Sequence, residues 1–270
     1  MTADLSFDQF LKKVCPQRNL DWRKYRRASR RRVLARIREL GLKGYSEYAE
    51  YLDRDPEESA NLPNLLRVTV SRFFREREVW QDLAATVLPF LLFRKREASP
   101  LRVLSIGCCN GEEPYSVALL WKSGLDAEFP DASIYITGVD VDADVLERAA
   151  QGIYSRKTLR EVPENMLNNW FEPVKQEYRL DDEVRRMVDF RHLDFLENPL
   201  PEKQDLILCR YLAFTYFHGR LLRRAIDRIR MVLEPHGFLV LGGKEEPGPE
   251  GESVIMPVSG AVHVYRKIKN

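Results

Sequence analysis

Leu101-Arg-Val-Leu-Ser-Ile-Gly107-Cys-Cys-Asn-Gly111-Glu-Glu-Pro-Tyr-Ser-Val-Ala-Leu-Leu-Trp121 decides the fold. Its first half is short, apolar and β-branched, the composition of a buried parallel strand. Gly107 and Gly111 bracket a tight loop, and helix chemistry follows. Glu112 and Glu113 sit where a helix start favours negative charge, Pro114 fits a first turn, and Val117, Ala118 and Trp121 share one face. A strand, a glycine loop and a helix in this order bring backbone close to a nucleotide-like ligand.

The surrounding chain has 270 residues, enough for one large domain or two modest ones. With 43 Lys or Arg against 41 Asp or Glu, the net charge of +2 gives no global field for nucleic acid. The charge is uneven: Arg18 to Arg38 holds ten basic residues and a single acid, Asp21. The four cysteines, Cys15, Cys108, Cys109 and Cys209, lack metal-ligand spacing, so no metal site is expected. With no charged-then-apolar leader and no membrane-length apolar run, the reading is a cytoplasmic protein with reduced thiols and no membrane insertion.

Residues 1–93 read as a helical N-terminal domain. Phe7, Phe10, Leu11 and Val14 recur at helical spacing, and Cys15-Pro16 ends that helix. A long helix is expected from Asp21 to Leu40, a third from Ser46 to Leu52, a fourth reaching Leu66, and another from Glu78 to Phe93 interrupted at Pro89. Residues 94–100 are charged and breaker-rich, which marks a linker. Residues 101–270 then alternate strands and helices, the signature of a parallel sheet. The fold class is therefore α/β, a Rossmann-like sheet preceded by a small all-helical domain. Strands are expected at Ser133–Val139, Asp205–Cys209 and Phe238–Gly242, and a closing hairpin around Ile255 and Val262–Tyr265. Short helices are expected at Ser155–Arg160 and Pro163–Trp170, and a short antiparallel β excursion at about 171–190.

Asp140 ends the second strand, where a carboxylate can accept both hydroxyls of a ribose; the competing role is a cap for the next helix. Asp194-Phe195 follows the third strand candidate and suits an adenine, or equally a turn over a buried ring. A dinucleotide fits less well. Cys108-Cys109-Asn110 stands where the fingerprint wants a glycine, and Glu112 and Glu113 would repel a pyrophosphate. Two acids at a helix start favour a ligand with a cationic amino group, and S-adenosyl-L-methionine carries one together with a ribose and an adenine.

Ser71-Arg-Phe-Phe-Arg75, Gly107-Cys-Cys-Asn-Gly-Glu-Glu-Pro-Tyr-Ser116, Asp140-Val-Asp142, Gly152-Ile-Tyr154 and Cys209-Arg210 with Tyr216-Phe217 resemble the CheR-type methyltransferases, bacterial enzymes that methylate chemoreceptor glutamates. The resemblance runs in order along essentially the whole chain. It implies a protein-glutamate O-methyltransferase that uses S-adenosyl-L-methionine in chemotaxis. Carried over by position, Glu113 matches the acid that holds the cofactor's amino group and Asp140 the ribose ligand. Thr69, Ser71 and Arg75 match a polar series lining the cofactor from the N-terminal side, with Thr69 in place of the usual Asn and Ser71 in place of Thr. Gly107, Arg210 and Tyr211 complete the cofactor side, and Asp194 and Phe195 match the adenine pair. Arg75 and Tyr216 match the residues that meet the acceptor carboxylate, and so stand as the catalytic pair.

Two departures lie at strand ends, where such sheets bind ligands. Tyr211 replaces the Asn of Cys-Arg-Asn, and the stretch to Tyr216-Phe217 is one residue longer. Gly242-Gly-Lys-Glu245 replaces Gly-His-Ser-Glu. Both bear on the acceptor more than on the cofactor, and the short β excursion argues against capture of a receptor tail peptide there. Arg23, Arg26, Arg27, Arg30, Arg31 and Arg32 are too dense for one helix face, so part of the run is solvated. The resemblance gives Arg27, Arg30 and Arg31 a docking role on an acidic partner, a chemoreceptor helix bundle, with the enzyme a monomer. Nucleic-acid contact is the competing use, yet no Asn/Asp-Pro-Pro-Tyr motif or strand-end Pro-Cys pair supports base methylation. Two other functions stay open: a same-fold methyltransferase acting on a small molecule or RNA, and a non-catalytic module that binds cofactor or receptor.

Overall fold

The computed structural model describes residues 4–21, 23, 25, 27–69, 71–95, 99–258 and 260–268. They form two compact units, one of residues up to Thr69 with Thr215–Leu222, the other of Val70–Phe214 with Arg223 onward.

The first unit is helical: α1 (Phe7–Val14), α2 (Arg27–Glu39), α3 (Tyr45–Arg54) and α4 (Pro56–Leu66). Local sequence starts two of them. Ser6 and Gln9 form a reciprocal capping box on α1, and Asp55 accepts the Glu58 N–H ahead of Pro56 at the start of α4. Phe10, Leu11, Tyr48, Ala49, Val33 and Leu62 close a core with almost no exposure. A buried carboxylate ties the helices. Glu58 accepts Arg36 Nη2 at 2.7 Å and the Tyr48 hydroxyl at 2.7 Å. Residues 215–222 return to this unit, where the Tyr216 carbonyl accepts the Asp21 N–H at 2.8 Å and its ring stacks on Tyr25.

The second unit opens with α5 (Arg77–Asp82), which passes through a π turn (Leu83–Val87) into α6 (Leu88–Arg94). Next come β1 (Leu101–Ile106), α7 (Glu112–Leu120), α8 (Asp126–Glu128), β2 (Ile134–Asp140), α9 (Ala143–Gln151) and β3 (Ile153–Ser155). After them lie α10 (Glu164–Trp170), β4 (Phe171–Val174), β5 (Glu177–Leu180), α11 (Asp182–Arg185), β6 (Val188–His192), β7 (Gln204–Leu208) and α12 (Ala213–Tyr216). The chain ends with α13 (Gly219–Val232), β8 (Leu233–Val240), α14 (Gly248–Glu252), β9 (Ile255–Pro257) and β10 (Val264–Lys267). The main sheet has seven strands in the order β6-β2-β1-β7-β8-β10-β9. Its first five run parallel, and β10 and β9 close it antiparallel. The chain order reverses between β1 and β7, so the crevice beyond their carboxyl ends is the ligand edge of such a sheet. A separate three-stranded sheet orders β3-β5-β4.

Five expectations change. Residues 171–190 are not one excursion: β4 and β5 pair with β3, while Val188–His192 is the parallel edge strand of the main sheet beside β2. Alternation alone does not tell an edge strand from a hairpin arm. The helix expected at Ser155–Arg160 is a run of turns, and the helix expected from Asp21 is formed only from Arg27 among the described residues; Trp22, Lys24 and Arg26 of that stretch lie outside them. The helix expected at Glu78–Phe93 is present as Arg77–Arg94, but it buries Trp80, Leu83 and Leu88, with Phe73 ahead of it, in the core of the sheet-bearing unit and not with α1–α4. Of the linker, Arg94 still belongs to α6, and residues 96–98 lie outside the described residues. No described helix is long and apolar enough to cross a membrane.

Candidate active site

The loop after β1 is built from left-handed backbone. Gly107, Cys109 and Gly111 have φ of 71°, 51° and 84°. Gly107 and Gly111 carry this without Cβ strain, and a side chain at Gly111 would also strike the rings of Phe190 and Tyr115, at 2.8 and 2.9 Å. The N–H groups of Gly107 and Cys108 both bond to the Val139 carbonyl, which fastens the loop to the end of β2. Asp140 completes the fastening. Its carboxylate accepts the N–H of Cys109 and of Asp142, each at 3.0 Å, and the side chain is 8% exposed. The helix-cap role belongs to Asp142 instead, whose side chain accepts the Asp144 N–H at the start of α9. Burial pushes the Cys108 and Cys109 thiols well up, so neither is a nucleophile here.

Glu112 and Glu113 open α7 and both are buried. Glu112 accepts the Asn110 amide at 3.5 Å, and its Oε2 has no hydrogen-bond partner among the described residues. Burial pushes its carboxyl up to about 7. Glu113 accepts Arg210 Nη1 at 3.0 Å. Burial raises this carboxyl as well, against the pull of Arg210 and Arg75.

Arg210 follows β7 and its side chain is fully buried. Nη2 reaches Glu76 at 2.6 Å and the Arg75 carbonyl at 2.8 Å, and the guanidinium lies 5.5 Å from the Trp80 ring centre. Trp80 Nε1 also donates to the Arg75 carbonyl, at 2.9 Å. Arg75 is thereby fixed by its backbone, and its guanidinium carbon lies over the Tyr211 ring, 3.6 Å from the centre. The Tyr211 hydroxyl donates to Glu76, while its backbone N–H and that of Gly242 donate to Glu245, each at 2.7 Å.

Gly107, Glu113, Asp140, Arg75, Arg210 and Tyr211 therefore share one neighbourhood at the carboxyl ends of β1, β2, β7 and β8. Ser71 is half-buried in the same unit, in the segment leading to Phe74, whose N–H donates to Ser116 Oγ at 3.1 Å. Asp194 folds into its own turn, where Oδ1 accepts the Leu196 N–H at 2.8 Å, and the Phe195 ring is buried. Thr69 and Tyr216 belong to the helical unit, as do Arg27, Arg30 and Arg31, which are exposed on α2. The arginine run divides by use. Arg32 donates to the Leu65 carbonyl and Arg36 pairs with Glu58, so those two hold the helices together.

Sequence reasoning missed Glu76 and gave Glu245 no role. Both are acids beside flagged motifs, yet their partners come from distant loops. S-adenosylmethionine fits this neighbourhood. The loop is shaped for backbone approach, a fixed carboxylate ends β2, and a buried carboxylate oxygen at Glu112 has no partner for a cationic group to displace. Among the described residues no group of His, Cys, Asp or Glu could hold a metal ion.

Comparison with known proteins agrees with this chemistry. Residues 69–256 match the family described as CheR methyltransferase, SAM binding domain, and residues 5–66 match its all-alpha domain. A probable chemotaxis protein methyltransferase of Rhizobium etli is 31% identical over 241 residues, which cover 87% of this chain and 89% of that protein. Chemotaxis protein methyltransferase 2 of Pseudomonas aeruginosa is 33% identical, covering 79% and 76%. The chemotaxis protein methyltransferase of Listeria monocytogenes is 30% identical, covering 91% and 92%.

Proposed function

Because this chain belongs to the CheR methyltransferase family and carries both of its domains, we propose that it methylates glutamate side chains of a chemoreceptor in the cytoplasm. The reaction needs little acid–base chemistry. A glutamate acceptor is already ionised at neutral pH, so no residue has to take a proton from it. When bound, S-adenosylmethionine would supply an electrophilic sulfonium methyl to the acceptor carboxylate, a transfer that asks no proton of the protein. The task left to the protein is positioning.

The observation that carries the acceptor assignment is Arg75. Its guanidinium is held on the Tyr211 ring and its carbonyl is gripped by Arg210 and Trp80. A permanently charged planar fork in a fixed place is the group that orients a carboxylate. Asp140 supports the ribose and Glu112 and Glu113 the amino end, with Gly107 giving close backbone approach. Asp194 and Phe195 serve the adenine side, and Arg210 holds Glu113 in place. Arg27, Arg30 and Arg31 present charge to an acidic receptor surface.

The test is transfer of labelled methyl from S-adenosylmethionine to a soluble receptor signalling fragment. Label in the fragment that mild base releases as methanol is the expected result. Base-stable label, or label found in RNA or a small molecule, overturns the carboxylate acceptor. Cofactor binding without any transfer makes the chain a binding module.

A further inference from the structure

Glu76 follows Arg75 directly and adopts left-handed backbone, with φ of 65°. That conformation is uncommon for a residue with a side chain and is kept where surrounding contacts fix it. Here the contacts are unusually complete. Oε2 accepts Arg210 Nη2 at 2.6 Å and the Gly243 N–H at 2.9 Å, Oε1 accepts the Tyr211 hydroxyl, and the Glu76 N–H donates to Glu161 at 3.2 Å. Burial opposes the charge, but the bonds from Tyr211 and Gly243 and the charge of Arg210 outweigh it and hold the carboxyl below its ordinary range. Tyr211 is itself in left-handed backbone, φ 56°, with its ring under the Arg75 guanidinium.

The two glycines opposite explain how this arrangement is accommodated. A Cβ on Gly242 would lie 2.6 Å from the Tyr211 ring, and one on Gly243 would lie 2.7 Å from Glu76 Oε1. Neither glycine has positive φ, so backbone conformation does not demand them. Space does. Tyr211 and Gly243 are also where the sequence departs from the resembled pattern, which already has glycine at the place of Gly242, and the contacts join the two departures through Glu76.

We propose that Glu76 is a positioning residue for Arg75, acting through Tyr211, and that Gly243, beside Gly242, leaves the room this clamp needs. It deepens the reading above and rests on Arg75 as the acceptor-side group. Its structural half does not need an acceptor.

The experiment follows the Arg75 Nε–H resonance, assigned by its loss in Arg75→Lys, in the 270-residue chain. In the wild type the Tyr211 ring current shifts it upfield. Glu76→Gln leaves one carboxamide oxygen to accept from three donors, Arg210, Gly243 and Tyr211, and moves the resonance, Tyr211→Leu moves it furthest, and Tyr211→Phe falls between. Gly242→Ala moves it as well, but adds nothing in a Tyr211→Asn background. Kinetically, Glu76→Gln raises the acceptor KM about tenfold, the scale of one lost charged hydrogen bond, and leaves S-adenosylhomocysteine affinity within about twofold. Tyr211→Phe recovers part of that loss.

An Arg75 resonance unmoved by Glu76→Gln overturns the clamp, as do additive effects of Gly242→Ala and Tyr211→Asn. Lost S-adenosylhomocysteine affinity with unchanged acceptor KM makes Glu76 a cofactor-side residue instead. If the wild type transfers nothing to the receptor fragment, the acceptor assignment falls, and the resonance still decides whether the clamp exists. Should Glu76→Gln fail to fold by circular dichroism, the Gly242→Ala and Tyr211→Asn pair carries the decision.

Discussion

Glu112 shows what a side chain gains and loses by standing in a ligand loop. It is 2% exposed, its Oε2 is unpaired among the described residues, and burial raises its carboxyl from an ordinary 4.5 to about 7. The folded state then binds more protons than the unfolded state between those values, so stability from this group is full below pH 4.5 and is lost as pH rises through 7. Glu112→Gln removes the charge at constant shape. The stability advantage of the variant over the wild type therefore grows from pH 4.5 to 7, toward roughly 3 kcal/mol. Urea melts of the ligand-free proteins across that range measure it, and a pH-independent difference would mean Glu112 is solvated in solution. The position of this acid was legible, because a glutamate pair after a glycine loop is a local pattern. Glu76 was not legible: its partners, Arg210, Tyr211 and Gly243, come from beyond two other strands. Asp140 stood between, since the sequence placed it at a strand end, and only the backbone showed that Asp142 caps α9.

At the scale of elements, the reading succeeded where one segment contains its own evidence. β1, α7, β2, α9 and the closing hairpin carry period, caps and breakers within a dozen residues. It failed where the partner strand decides. Val188–His192 and Glu177–Leu180 have similar alternation, but one pairs in parallel with β2 and the other antiparallel with β3 and β4. In the helical unit the decisive element contact is polar and long-range. Glu58 on α4 is 4% exposed and joins Arg36 on α2 to Tyr48 on α3. Glu58→Ala strands a buried hydroxyl and frees an arginine that is 32% exposed, so the penalty falls below that of a wholly buried pair, at about 2 kcal/mol. Native-state hydrogen exchange checks it, with protection in α3 and α4 falling while β1 and β2 are unaffected. Equal loss in both places would mean the two units unfold together. Tyr48→Phe removes only the hydroxyl and should cost about 1 kcal/mol.

At the scale of the whole chain, sequence averages conceal what matters. The helical pattern of residues 78–93 gave the element type but not its core, because an apolar stripe fits a helix bundle or a sheet face equally well. The net charge of +2 likewise hides a basic helix. The structure divides that helix by use, since Arg32 and Arg36 are spent on folding contacts while Arg27, Arg30 and Arg31 are exposed. Three and four residues apart, Arg27, Arg30 and Arg31 share one face, and a surface of that kind attracts an acidic partner through screened Coulomb forces. Reversing all three (Arg27→Glu, Arg30→Glu, Arg31→Glu) should raise the KM for a receptor fragment at least about tenfold at low salt. The difference should shrink toward nothing near 1 M salt, where the screening length falls to about 3 Å. Cofactor affinity by calorimetry should not move, because none of the three belongs to the unit that holds the glycine loop. Arg30 also meets the hydroxyl of the buried Tyr45, so the melting transition of the variant is recorded alongside to separate lost docking from lost stability. A KM that stays at the wild-type value at low salt would remove α2 as the docking face and leave receptor choice to the groups around Arg75.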